Sequence, residues 1–201
     1  MPRPVRPRGA RPQRGAPDET RARLVAAAAR VFNESGYHGT DSNRLAEAAG
    51  YAAGTFYKHF ADKRELFLAA YEAWVTAEWE AVGETLSHGG KVRAQASQLV
   101  AQTLRLHRRW KVFRASMLAL AAIDPAARRV YRAQRRAQLE RMRSLREAAG
   151  LEPHARADDA LLLFTLERVC DAIAQGEARA LGVPESALEE QLVTLVEQHL
   201  E

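Results

Sequence analysis

Apolar side chains recur at helical spacing along most of the chain. Leu24, Ala27, Ala28, Val31 and Phe32 repeat at intervals of one, three and four residues, which predicts a first helix over residues 18–35. No segment shows the sustained two-residue alternation, rich in β-branched side chains, that is typical of strands. The pattern therefore predicts an all-α protein.

Glycines and prolines divide this helical pattern into about nine predicted helices. Glycine is favoured just past the end of a helix, and proline is tolerated in the first helical turn. The predicted helices cover residues 18–35, a short segment capped by Thr40 or Asp41 and ending at Gly50, 54–60, 63–86, 91–109, 111–123, 125–149, 155–181 and 184–200.

The composition is that of an ordinary globular chain. Of the 201 residues, 47% are hydrophobic and 27% are charged. The single cysteine, Cys170, cannot form an internal disulfide or a cysteine-based metal site, so we expect a reducing, cytoplasmic location with no metal or cofactor. The chain has no apolar run of membrane-spanning length, and its Arg-rich start lacks the apolar stretch of a secretory signal.

The net charge of +5 lies entirely in residues 1–17. This segment has five arginines, five prolines and no acidic residue, so we expect a disordered or extended arm. Such an arm is a common means of reaching phosphates or a DNA minor groove. The alternative is a solvated leader without a role.

Two blocks of opposite charge follow later in the chain. Residues 105–146 contain thirteen Lys and Arg against Asp124 and Glu140, whereas residues 147–201 contain twelve acidic residues against three arginines. These blocks can pack on each other, the basic one can attract an anion or DNA, or both can line solvated helix faces.

Residues 36–66 read GYHGTDSNRLAEAAGYAAGTFYKHFADKREL. Two short helices meet here at Gly50, with the small residues Ala46 and Ala49 where the helices must approach closely. This arrangement is typical of a helix-turn-helix, whose second helix enters the DNA major groove. The run from Thr55 to Phe60 offers hydroxyl, ammonium and imidazole groups within two turns.

The same segment resembles the TetR/AcrR family of bacterial transcriptional regulators. Fifteen residues match the family pattern at the correct spacing: Gly36, Tyr37, Thr40, Leu45, Ala46, Ala49, Gly50, Gly54, Thr55, Tyr57, His59, Phe60, Lys63, Glu65 and Leu66. The resemblance implies a helix-turn-helix domain over residues 18–67 and a larger effector-binding and dimerisation domain over 68–201. It also implies that the protein is a transcriptional regulator. The family's usual mode is repression, in which a small-molecule effector releases the repressor from operator DNA. The residues leave open whether this protein is a repressor or an activator.

The resemblance also implies which residues contact double-stranded operator DNA. Thr40 would cap the second helix and contact a phosphate, and residues 52–56 and 58 would face the groove. The expected DNA-binding residues are Thr40, Asp41, Ser42, Asn43, Ala52, Ala53, Thr55, Tyr57, Lys58, His59 and Lys63. The residues expected in the core are Phe32, Leu45, Phe60 and Leu66, and Phe56 is expected to be partly buried. For His59 the alternative to a DNA contact is a histidine packed inside the domain.

The chain departs from the family pattern at Tyr51, Ala52 and Ala53, where a capping serine and often a lysine are usual. Ala52 cannot cap the recognition helix, which costs about 0.5–2 kcal/mol locally. Residues 18–67 carry seven basic and seven acidic side chains, so the arginine arm would have to supply net attraction for DNA. The alternative is a dimeric sensor that has lost operator binding.

In residues 68–201 the resemblance implies a pocket for a small, often hydrophobic effector. The residues we expect to line it are Trp74, Trp110, Phe113, Met117 and Phe164, with ordinary core packing as the alternative for each. Arg105, Arg108, Arg109 and Arg114 either hold an acidic group of the effector or are solvated.

Apolar stripes on the last two predicted helices indicate a homodimer. They consist of Leu162, Leu166, Val169 and Ile173 on one helix and Leu188, Leu192, Leu195 and Val196 on the other. Pairing with a second copy would build a four-helix bundle, unless both stripes are internal core. Catalysis is not indicated, because no His-x-x-x-His or Gly-x-Ser-x-Gly pattern appears and Cys170 sits in an apolar stretch.

Overall fold

The computed structural model describes residues 16–87 and 89–201. The arginines of the predicted arm, within residues 1–15, lie outside these described residues. The described part forms ten helices: α1 Pro17–Ser35, α2 Ser42–Ala48, α3 Ala53–His59, α4 Lys63–Ser87, α5 Val92–Arg109, α6 Lys111–Ile123, α7 Pro125–Ala148, α8 Arg156–Ala174, α9 Glu177–Ala180 and α10 Glu185–Leu200. The all-α prediction is confirmed.

The described helices differ from the predicted ones by one residue at several ends, and one predicted helix is divided. The single helix expected over residues 155–181 is two helices, because Gly176 adopts a left-handed conformation (φ 78°) that ends α8 and begins α9. Residue 17, assigned to the arm, is the first residue of α1, where a proline costs nothing since its missing N–H has no intrahelical partner.

The chain divides into two compact units, residues 1–73 and 74–201. The division falls inside α4 and therefore later than the predicted boundary after residue 67. No described helix is long and apolar enough to cross a membrane.

The first unit is held together by aromatic and aliphatic side chains from all four of its helices. Leu24 and Phe32 of α1, Leu45 of α2, Phe56 of α3 and Phe67 of α4 are each completely buried. Phe32 and Phe67 pack edge to face, with ring centroids 4.9 Å apart. This core fixes α3 through its inward face and leaves its outward face open.

The connection between α2 and α3 is a tight turn at Gly50. The residue has φ 81°, and its N–H donates to the Glu47 carbonyl at 2.9 Å while Tyr51 N–H donates to the Ala46 carbonyl at 2.9 Å. Glycine is suited to this left-handed conformation because other residues clash through their Cβ. The turn brings α3 across α2 in the helix-turn-helix manner.

The second unit packs α5 against α8 and α10. Its core includes Leu99, Leu104, Cys170, Ile173 and Leu192, all of which are buried. Burial raises the pKa of the Cys170 thiol to about 12, so the side chain remains a protonated thiol and behaves as a small apolar group.

The two oppositely charged blocks meet within this unit. Arg114 pairs with Asp171, Arg108 with Glu185, and Arg156 with Glu140. Two of the four arginines for which effector contact or solvation was expected differ in exposure: the Arg108 side chain is 47% exposed, whereas that of Arg114 is only 5% exposed.

Candidate nucleic-acid interface and ligand cavity

Helix α3 presents one polar face outward. Phe56 is completely buried and Phe60, directly after the helix, is 1% exposed, so these two rings anchor α3 to its unit. Tyr57 is 59% exposed, Lys58 is exposed and Thr55 is half-buried. The expectation that Phe56 takes part in facing the groove is therefore wrong, since the helical period turns it inward.

The start of α2 is capped by Asp41 and not by Thr40. The Arg44 backbone N–H donates to Asp41 Oδ1 at 2.9 Å, whereas Thr40 lies one residue earlier and is buried. No described group hydrogen-bonds Thr40 Oγ1. Ser42 is half-buried and Asn43 is exposed beside this cap.

Lys63 has a structural role within the first unit. Its Nζ donates to the carbonyl oxygens of Tyr37 at 3.0 Å and Thr40 at 2.9 Å, and it lies 4.6 Å from the centroid of the Tyr37 ring. These contacts tie the start of α4 to the segment before α2. An ammonium has three donors, so one N–H remains for a phosphate.

The first turn of α3 lacks a side-chain cap. Ala52 occupies the N-cap position with extended backbone and makes no capping hydrogen bond, as expected from its methyl side chain. At the other end, Lys58 and His59 lie in the last turn, where positive charge complements the helix dipole. His59 is half-buried.

The second unit contains a partly open cavity of about 240 Å³. It lies between α4, α5, α7, α8 and α10, because each of these helices contributes lining residues. Its apolar lining includes Trp79, Val82, Leu99, Met142, Leu162, Leu166 and Val196. A mostly apolar cavity with a few polar groups is typical of a small-molecule site.

The polar lining residues fall into two groups. One group comprises Glu78, His107, Gln138 and Glu167, and it adjoins the guanidinium groups of Arg114 and Arg135. The other includes Arg146, whose guanidinium donates to the backbone carbonyls of His199 (2.5 Å) and Glu152 (2.9 Å).

The first group is joined to a buried ion-pair network. Asp171 accepts from Arg114 Nε at 3.1 Å and lies 2.8 Å from His107 Nδ1. Burial alone would raise the pKa of Asp171, but these hydrogen bonds hold that pKa well below its usual range. Burial lowers the pKa of His107, so its imidazole is neutral. Asp171 is therefore ionised and accepts a hydrogen bond from the Nδ1–H of His107.

Burial, opposed by the charge of Arg114, raises the pKa of Glu78 to about 7. Within the described chain this carboxyl makes no ion pair and no hydrogen bond, and the nearby Glu167 and Asp171 also disfavour its ionised form. Glu78 therefore changes charge near neutral pH.

None of the five residues expected to contact an effector is among those that line this cavity. Trp74, Trp110 and Phe113 form an aromatic cluster with ring centroids 6.0–6.5 Å apart, and Met117 is completely buried. Phe164 is 56% exposed. The sequence analysis did not predict Glu78, His107 and Glu167 as cavity residues. They could have been found as charged or polar residues at helical positions that are otherwise filled by apolar side chains.

The six residues expected at a dimer interface face the interior of their own unit. Leu162, Leu192 and Val196 are buried in the core, and Leu166, Val169 and Leu188 pack against it. Contacts within the unit therefore account for much of both stripes, and Leu166, Val169 and Leu188 remain partly exposed. The exposed apolar side chains of α8 are instead Leu161 (65%) and Phe164 (56%), one turn apart.

The fold and the exposed helix α3 define a helix-turn-helix protein with a separate helical unit. Residues 24–70 match the family model described as bacterial regulatory proteins, tetR family. The match shows that this segment is a domain of the kind that the family model describes.

Similar proteins agree with this assignment. The chain is 35% identical over 83 residues to the HTH-type transcriptional repressor AcnR of Corynebacterium efficiens, covering 41% of this chain and 42% of that protein. It is 40% identical over 58 residues to the HTH-type transcriptional activator FasR of Mycolicibacterium smegmatis, covering 29% of this chain and 26% of FasR. The matches thus span less than half of either relative.

A solved transcriptional regulator of Rhodococcus sp. Rha1 extends the likeness beyond the first unit. Its TM-score is 0.68 at 26% identity, and the alignment covers 90% of this chain and 95% of that one. The helical second unit is therefore also shared with a known regulator.

Proposed function

We propose that this protein is a transcriptional regulator of the bacterial cytoplasm that binds double-stranded operator DNA through α3. The single observation that carries the proposal is the exposed pair Tyr57 and Lys58 on a short helix that Phe56 and Phe60 anchor from behind. A rigidly held helix with exposed hydroxyl and ammonium groups fits the major groove and its phosphates.

The proposed contacts divide by geometry. Thr55, Tyr57 and Lys58 face the groove, and the short side chains of Ala52 and Ala53 allow close approach to it. Ser42 and Asn43 contact phosphates at the start of α2. Thr40 and Asp41 fix the backbone at that start, and His59 lies at the edge of the groove. Lys63 chiefly holds the segment before α2 in place and offers its remaining N–H to a phosphate.

The arginine arm of residues 1–17 is proposed as a second source of DNA affinity. Residues 18–67 carry seven basic and seven acidic side chains, so a polyanion is attracted mainly by the five arginines of the arm. We propose that they reach the phosphates or minor groove next to the α3 site.

We propose repression relieved by a small-molecule effector as the mode of regulation. AcnR is a transcriptional repressor and FasR an activator, and the match to AcnR covers more of this chain. The 240 Å³ cavity in the second unit supports the effector part of the proposal, since it is apolar and carries a few polar groups. Effector binding would change the separation of two recognition helices by a rigid-body shift.

A homodimer built on α8 and α10 is part of this proposal. These helices pack against each other, and the exposed Leu161 and Phe164 give α8 an apolar face. Two-fold pairing of this face buries the same residues from both copies. It also provides two recognition helices for one palindromic site.

Replacing both Leu161 and Phe164 with Arg is expected to raise the dimer dissociation constant by about 100-fold or more, because large apolar side chains dominate interface energetics. Multi-angle light scattering of the full chain at micromolar concentration checks this. Ile123→Arg, at an exposed position of α6 (73%), is the matched control and should remain dimeric. A monomeric wild type, or a dimeric double variant, contradicts the proposed interface.

Selection of binding sites from a random pool of duplex DNA tests the proposed function. The expected product is a palindrome whose half-sites are centred about one helical turn, roughly 34–36 Å, or a multiple of it apart. Failure to enrich any sequence at low salt, with the dimer intact, favours instead a sensor that acts through protein contacts.

A further inference from the structure

The polar end of the cavity, together with the ion pairs that adjoin it, contains one more acidic group than basic groups. Glu78, Glu167 and Asp171 face the two guanidiniums of Arg114 and Arg135. Arg114 pairs with Asp171 and Glu167, and Arg135 with Glu167. These pairings leave Glu78 as the carboxyl for which the described chain provides no cation contact.

His107 provides a second group that lacks a donor. Its side chain is completely buried and it lines the same cavity. The Nδ1 proton points to the ionised Asp171, so Nε2 carries a lone pair, and no described group hydrogen-bonds it. A buried acceptor without a donor is unfavourable, and a ligand N–H relieves that cost.

We propose that the cavity takes an organic cation, a primary or secondary ammonium on an apolar body, with its N–H groups donating to Glu78 and His107 Nε2. This inference rests on the proposed function of the cavity as an effector site. Trp79 and the aliphatic lining receive the apolar body, and an aromatic wall also suits a cation.

An anionic ligand is disfavoured by the same geometry. Arg146 is the arginine that lines the described cavity, and its Nε and one terminal nitrogen already donate to backbone carbonyls. At the other end, a ligand carboxylate would meet Glu78 and Glu167. Binding a cation leaves two guanidiniums and one ammonium opposite three carboxylates, which balances the charge.

Three probes that share one apolar body distinguish the ligand classes: phenylbutylamine, phenylbutanol and phenylbutyrate. Isothermal titration calorimetry of the full chain near neutral pH is expected to show the amine binding about 10- to 100-fold more tightly than the alcohol, because a charge-assisted hydrogen bond replaces a neutral one. The carboxylate is expected to bind more weakly still. Equal or tighter binding of the alcohol or the carboxylate overturns the proposal, as does no binding of the amine at millimolar concentration.

Proton release supplies a second readout that a purely apolar pocket would not give. An ammonium pairs with ionised Glu78, so binding near pH 6 should release close to one proton, and binding near pH 8 close to none. Titrations in buffers of different ionisation enthalpy measure this number. Glu78→Gln should abolish the release and weaken the amine about 10- to 100-fold, whereas Glu80→Gln, exposed on the same helix, should change neither. Unchanged amine binding by Glu78→Gln contradicts the assignment.

DNA binding separates this inference from the proposed function. If the amine binds through Glu78 but leaves DNA affinity unchanged, the cation site stands and the proposed effector coupling fails. If the alcohol or the carboxylate releases DNA and the amine does not, the coupling stands and the cation site fails.

Discussion

Replacing Arg114 with Met is expected to lower the free energy of unfolding of residues 74–201 by about 3–5 kcal/mol. The guanidinium is 5% exposed, donates to Asp171 and lies 3.8 Å from a Glu167 oxygen. Its removal leaves two carboxylates beside each other in a buried site. All three tryptophans of the chain lie in this unit, so tryptophan fluorescence during urea unfolding reports it.

Arg108→Met is the matched control for this prediction. Arg108 also pairs with two acidic residues, Glu185 and Glu189, but its side chain is 47% exposed. Its loss should therefore cost no more than about 1 kcal/mol. The double variant Arg114→Met, Asp171→Leu should recover part of the loss, since it removes both charges of the pair. An Arg114→Met loss no greater than that of Arg108→Met contradicts the buried-network interpretation.

Glu78→Gln is expected to stabilise the ligand-free protein at high pH and much less at low pH. The pKa of Glu78 in the folded protein is raised to about 7 by burial, above its ordinary value. As pH rises, the Glu78 carboxyl therefore loses its proton in the unfolded chain before it does so in the folded protein. This lowers the free energy of unfolding of the wild type between the two pKa values, and above both values the contribution of Glu78 is constant. The stability gap between variant and wild type should grow by roughly 2–3 kcal/mol from about pH 5 to pH 8.

The gap between the two proteins isolates Glu78 because the other groups facing it are present in both. These are His107 of α5, Arg114 of α6, Arg135 of α7, and Glu167 and Asp171 of α8. Thermal unfolding of wild type, Glu78→Gln and Glu80→Gln across this pH range provides the measurement. A constant gap for Glu78→Gln, or an equal trend for Glu80→Gln, contradicts a raised pKa at Glu78.

The first unit was predictable from sequence because short-range signals determine it. Gly50 marks the turn, and Leu45, Phe60 and Leu66 fall at core positions as expected. The errors there concern single residues. The resemblance implied Thr40 as the cap of α2, whereas the cap is Asp41, which the residue pattern had left open as the alternative. Either side chain has the required oxygen, and only the backbone decides which one is at the N-cap.

The second unit was predictable as helices but not in how they pack. The stripe containing Leu162 and Leu166 and the neighbouring Leu161 and Phe164 give α8 two apolar faces. Periodicity shows that a face is apolar, but it does not show whether another helix of the same chain or a second copy covers it. Hence the internal face was assigned to the dimer, and Phe164 was assigned to the pocket.

The cavity could not be located from aromatic residues for a related reason. Trp74, Trp110 and Phe113 fill space against each other, while Glu78 and His107 reach the cavity from α4 and α5. Aromatic side chains are more often core than ligand contacts. A charged side chain at an otherwise apolar helical position is costly to bury, and it was therefore the more informative signal.

DNA affinity of Tyr57→Phe and Lys58→Ala variants on a selected palindromic duplex tests docking by α3 most directly. Fluorescence anisotropy of labelled duplex should show each change weakening binding about 10- to 100-fold, because a dimer loses two contacts at once. Lys58→Ala should also reduce the salt dependence, whereas Lys111→Ala, exposed in the second unit, should leave affinity unchanged. Wild-type affinity for the double variant Tyr57→Phe, Lys58→Ala would contradict DNA binding through α3.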